Sequence, residues 1–176
     1  MASTTGVLAE TIRGGSAADT LTSTGTNDVL IGGAGNDTLI VHGNLTTLTG
    51  GAGTDTFDIG TATSNVNSYA TITDIAVGDI IKFADTAGTE TFQASKVVLG
   101  DTAVFQDYAN AAINATNQGD ISWFQVGGNT YVIEHASADA ATSFLNGTDI
   151  VVKLTGTVDL TKASFNADSQ TLVITA

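Results

Sequence analysis

The sequence predicts an all-β chain whose first third is a coil of short parallel strands. A nine-residue period carries the prediction, placing an apolar side chain at one fixed point five times and a carboxylate at another in four of five units. Composition agrees: the 176 residues include 20 glycines, with no proline and no cysteine.

From Gly14 the units read GGSAADTLT, STGTNDVLI, GGAGNDTLI, VHGNLTTLT and GGAGTDTFD. Their eighth positions are Leu21, Leu30, Leu39, Leu48 and Phe57; their sixth are Asp19, Asp28, Asp37, Thr46 and Asp55. Each unit reads as a tight turn followed by a short strand whose eighth residue points inward. The glycines permit the left-handed or crowded backbone that such turns need. Two units complete one coil, so the first, third and fifth stack on one edge and the second and fourth on the other.

That stacking sets Asp19 over Asp37 and Asp37 over Asp55. Like charges so placed repel, and a positive group belongs between them. Carboxylates beside turn carbonyls make an oxygen-rich cage, which suits Ca²⁺ better than the stricter octahedral Mg²⁺. The fourth unit has lost its carboxylate, so the second edge is expected to bind calcium poorly or not at all, with Asp28 left for a weak or flanking site. His42 is expected to be an exposed loop residue, since nothing near it completes a transition-metal set.

These units resemble the GGxGxDxUx nonapeptides of the RTX family, and 32–37 and 50–55 match at every defined position. The resemblance implies a calcium-binding parallel β-roll. It implies ligands from Asp19, Asp37 and Asp55 and from turn carbonyls, with Gly14, Ser16, Gly32, Ala34, Gly50 and Ala52 as the turn positions. Residues 72–83 have the form ITDIxxGDxIxF, which resembles the segment closing the roll in secreted RTX proteins, serralysin-type protease C-termini included. There Asp74 and Asp79 are further ligand candidates; the other reading makes them ordinary turn residues.

Three segments are expected: 1–13, a tail or leading strand; 14–85, the roll with its closing segment; and 86–176, a β-rich C-terminal capping and secretion module. Within the last, apolar residues at helical spacing predict a helix over 102–114. Gly127-Gly128 predicts a hairpin between strands at 121–126 and 129–134. Further strands are expected at 150–154 and 171–175. Trp123, Phe124 and Tyr131 are expected to pack against the helix.

The C-terminal part, with GGNTYVIEH and DIVVKLTG, resembles the ends of type I-secreted bacterial S-layer proteins and adhesins. That implies export by type I secretion machinery on an uncleaved C-terminal signal, a cell-surface location and a calcium-dependent oligomer or lattice. MASTTGVLAETIRGG has no positive start followed by an apolar run, in keeping with that expectation. No apolar run is long enough for a transmembrane span.

A formal charge of −13, from 18 acidic and 5 basic residues, argues against nucleic acid as a partner. No catalytic set is found: His42 and His135 lie in no HExxH arrangement, and GxSxG is missing. Glu134 and Asp139 are expected on a solvated surface. The chain therefore reads as a calcium-dependent structural module of a secreted surface-layer protein, or else as the export and stability module of a secreted enzyme or adhesin.

Overall fold

The computed structural model describes residues 9–62, 64–84, 90–138 and 141–176. The chain alternates between two sheets, one short strand at a time. The first sheet takes β1 (Thr11–Arg13), β3 (Val29–Ala34), β5 (Thr47–Ala52) and β7 (Ala70–Ile72). The second takes β2 (Thr20–Ser23), β4 (Thr38–Val41), β6 (Thr56–Asp58) and β8 (Ile80–Lys82). All of these pair in parallel, each with the strand two places on.

Register follows the sequence period. Leu21 lies beside Leu39 and Leu30 beside Leu48, two units apart. The step then lengthens: Leu48 pairs with Ile72 and Phe57 with Ile81. Residues between β6 and β7 absorb the difference, and the ladders resume in phase beyond them. The segment 71–83 therefore adds one strand to each sheet, with a further turn between.

Leu21, Leu30, Leu39, Leu48 and Phe57 are wholly buried between the sheets. A strand alternates its side chains, so a unit with one inward apolar residue and threonines on either side has a single way to lie. In β4 the alternation runs Thr38 half-buried, Leu39 buried, Ile40 half-buried, Val41 buried.

Both sheets continue into the C-terminal half. β9 (Ile121–Val126), β10 (Asn129–Glu134) and β11 (Ile150–Leu154) extend the first, giving the order β1-β3-β5-β7-β11-β10-β9. β12 (Ser164–Asn166) and β13 (Thr171–Val173) extend the second, as β12-β13-β8-β6-β4-β2. One apolar cluster runs from Leu21 through Ile81 to Trp123, Val132, Val152 and Leu172. A second lies on the outer face of the first sheet, where α1 (Phe105–Asn114) sets Ala109, Ala112 and Ile113 against Phe124, Ile133 and Val151. Strands β9 to β11 are thus buried on both faces.

The hairpin at Gly127-Gly128 forms with φ of 58° and 75°, the pair of positive values a type I′ turn requires. The helix begins three residues later than the spacing predicts. Val104 is extended, and Asp107 accepts its N–H at 2.9 Å, closing the N-terminus there. Phe124 and Tyr131 do pack with the helix, but Trp123 faces the opposite way, into the core between the sheets. Its indole N–H donates to the Ala94 carbonyl at 3.1 Å. Glu134 is 0% exposed, against the expectation of a solvated surface, because β10 ends inside the fold; Asp139 lies outside the described residues.

Leu39→Ala should lower stability by about 3 kcal/mol in urea unfolding, the usual cost of an unrelaxed core cavity. Val77→Ala, at a site 64% exposed, should stay within about 0.5 kcal/mol of the parent.

Candidate metal centre

The turns between first-sheet and second-sheet strands stack on one edge: 14–19, 32–37, 50–55 and 74–79. Their aspartates form a column. Asp37 Oδ1 accepts the backbone N–H of Asp19 at 2.8 Å, Asp55 Oδ1 that of Asp37 at 2.8 Å, and Asp79 Oδ1 that of Asp55 at 2.9 Å. Each carboxylate thus reaches back one coil and holds the turn before it.

Such reach demands close backbones. A methyl group on Gly33 would stand 2.2 Å from the Gly15 carbonyl oxygen, and one on Gly51 would stand 2.0 Å from that of Gly33. Their φ values of 117° and 104° are glycine territory as well. The leading glycines have another part. A methyl on Gly32 would lie 2.3 Å from Asp37 Oδ2, and one on Gly50 the same distance from Asp55 Oδ2.

Asp37, Asp55 and Asp79 are buried, Asp19 is half-buried and Asp74 is exposed. Asp37 Oδ2 is buried and meets no hydrogen-bond donor. An unpartnered buried carboxylate oxygen is costly unless a cation or proton compensates it. Burial raises the pKa of Asp55, and the charges of Asp79, Asp37 and Asp74 push it further, against the Asp37 N–H. Burial likewise raises Asp79, with Asp74 adding to it, against the N–H groups of Asp55 and Ala76.

The structure brings Asp19, Asp37 and Asp55 together on one edge with the turn positions Gly14, Ser16, Gly32, Ala34, Gly50 and Ala52. Of the carbonyls there, that of Ala52 accepts the Gly35 N–H at 2.8 Å. Asp74 and Asp79 join the same stack. Asp74 accepts Gly50 N–H and Gly51 N–H at 3.0 and 2.9 Å, and Asp79 Oδ2 accepts Ala76 N–H at 2.8 Å. The last turn therefore holds its neighbour through protein donors.

Asp28 lies on the other edge, with both oxygens engaged. Oδ1 takes the Glu10 N–H at 2.9 Å; Oδ2 takes the Ser23 hydroxyl at 2.6 Å and the Gly25 N–H at 3.1 Å. Buried Thr46 stands where the next carboxylate would be. His42 is exposed, its Nδ1 2.5 Å from the Thr61 hydroxyl.

Among the described residues no three His, Cys, Asp or Glu side chains converge. A cage on the first edge would therefore combine two stacked carboxylates with backbone carbonyls, the oxygen-only set that suits a hard divalent cation. Glu10 shows what the division at Gly14 missed. The nine residues before it, TGVLAETIR, carry Glu10 sixth and Ile12 eighth, and Ile12 pairs with Leu30. A glutamate for aspartate and the loss of the glycine pair hid that unit.

The family described as the RTX calcium-binding nonapeptide repeat (4 copies) matches residues 4–39, beginning with this additional unit. That repeat is a structural, calcium-binding one. No curated protein matches the chain.

Asp55 and Asp79, with raised native pKa values, bind protons more readily folded than unfolded. Their contribution to stability is present at low pH and lost as pH climbs from the ordinary aspartate range through the native values. Freed of divalent ions by chelator, the protein should therefore have a lower urea midpoint at pH 7 than at pH 5. Asp79→Asn should narrow that difference.

Proposed function

We propose that this chain, with an RTX calcium-binding nonapeptide repeat over residues 4–39, is a calcium-dependent structural module of a secreted bacterial surface-layer protein. Residues 14–85 are its parallel β-roll and closing segment, and 86–176 its capping and secretion module. The buried, unpartnered Oδ2 of Asp37 carries the reading, because it lies in a column of stacked carboxylates.

Calcium would be held on the first edge, by Asp19 with Asp37 and by Asp37 with Asp55, together with turn carbonyls at Gly14, Ser16, Gly32, Ala34, Gly50 and Ala52. The ion would meet the Asp37 oxygen that no protein donor reaches. Asp28, whose oxygens meet protein donors, is at most a flanking ligand, and Asp74 and Asp79 close the stack. Without calcium the aligned carboxylates repel, and the glycine-rich turns have much conformational entropy to lose. Binding then becomes folding free energy.

Such a switch suits a chain that is exported loosely ordered by type I secretion machinery and folds outside the cell. There the folded module contributes to a surface lattice. The two sheets, continuous from the turn stack into the C-terminal half, support this: calcium at one end orders the strands that present the rest of the surface. Among the described residues no helix is long and apolar enough to cross a membrane.

A calcium titration of the chelator-stripped chain, followed by far-UV circular dichroism and light scattering, tests the reading. Calcium, but not equal magnesium, should produce a coil-to-β transition, with particle growth alongside. A folded but strictly monomeric product would favour the export and stability module of a secreted enzyme or adhesin. A spectrum indifferent to calcium would falsify both. Asp37→Ala, which removes a carboxylate common to both sites, should lower affinity and stoichiometry together, whereas Asp28→Asn should leave the main sites filled.

A further inference from the structure

A second group of buried acids lies away from the turn stack, where the C-terminal strands meet the end of the coil. Glu134, the last residue of β10, is 0% exposed and Glu90 is 3% exposed. Gln170, just before β13 and 5% exposed, donates from Nε2 to Glu90 Oε2 at 3.0 Å. Its own backbone carbonyl accepts the Phe83 N–H at 2.9 Å. The next amide, that of Ala84, reaches Glu134 Oε2 at 3.4 Å. Phe83 and Ala84 thus hold the backbone of Gln170 and the side chain of Glu134 from one short stretch of chain, and Gln170 in turn holds Glu90.

Two oxygens here have no partner: Glu134 Oε1 and Gln170 Oε1 are both buried without a hydrogen-bond donor. Gln170 also sits at φ 55°, a left-handed conformation unusual for a side chain of its kind. The charged neighbours that act on Glu134 are both acids, Glu90 and Asp149. Lys82 is bound to Asp58 at 2.9 Å, Lys96 donates to Gln125 Oε1 at 2.8 Å, and His135 turns to the opposite face, its Nδ1 3.1 Å from the Thr116 carbonyl. The neighbouring acid Asp149 is already met by the N–H groups of Ser137 and Leu145, both at 2.7 Å.

We propose that Glu90, Glu134 and the side-chain oxygen of Gln170 form a further site for a hard divalent cation of the calcium type, separate from the turn stack. The donors are all oxygens, with no nitrogen or sulfur to recruit a transition metal. Two carboxylates balance the charge of one divalent ion. With the site empty, burial and the charges of Glu90 and Asp149 push Glu134 up to about 8, so a proton would take the place of the cation at neutral pH. A bound ion would tie β10 to the residue at 90 and to the turn between β12 and β13. It would thereby lock the C-terminal extensions of the two sheets together.

Calcium calorimetry on the stripped full chain tests this with Glu134→Gln, Glu90→Gln and Asp37→Asn. Glu134→Gln preserves the volume and neutrality of the protonated acid, so it should fold; circular dichroism in chelator checks that. Glu134→Gln and Glu90→Gln should each bind one ion fewer than the parent, while Asp37→Asn keeps that ion and loses turn sites. Should the turn stack bind nothing, the parent would still take up one ion and Glu134→Gln none. Unchanged stoichiometry and affinity in a folded Glu134→Gln would overturn the site and leave a proton as its occupant.

Discussion

The fold depends on one contact repeated up its edge: an aspartate carboxylate accepting the backbone N–H of the aspartate one coil before. This bond fixes the separation of successive turns, and the strand ladders and the leucine column then follow at the same spacing. It also concentrates negative charge on one side. The bond that builds the stack therefore creates the demand for a cation.

That demand explains why the two edges differ. On the second edge Thr46 replaces a carboxylate and Asp28 is met by Ser23, Gly25 and Glu10, so neutral donors settle the electrostatics. On the first edge the same arrangement leaves Asp37 Oδ2 without a donor. The second edge meets its carboxylate with protein donors; the first leaves a buried oxygen that a cation or a proton would have to compensate.

The C-terminal half is joined to this device by its core. Trp123, Val132 and Leu172 belong to the same apolar cluster as Leu21 and Leu39, and strands from both halves pair directly. Tight packing transmits disorder as readily as order. Loosening the turns would be felt by β11 and β13, and the acids at Glu90 and Glu134 lie where those two extensions come together.

Sequence by itself determined the coil, because its information is local and periodic. One inward residue in nine, a glycine pair and a carboxylate at a fixed offset prescribe a turn, a strand and a face, and Leu21 to Phe57 and Asp19 to Asp55 fall where that reading puts them. The hairpin at Gly127-Gly128 was legible for the same reason: two adjacent positive φ values need glycine. Tertiary structure alone decided the rest. Ile12 and Glu10 form a further unit because a partner strand stands ready at β3, although their own residues carry little of the motif. Trp123 and Phe124 part to opposite faces since both sides of their sheet are covered, which no alternation of apolar and polar residues can reveal. Glu134 reads as a surface acid because burial of a charge depends on chain distant in sequence, here Ala84, Glu90 and Gln170. Period is written in neighbouring residues; burial is written in contacts that only the closed fold makes.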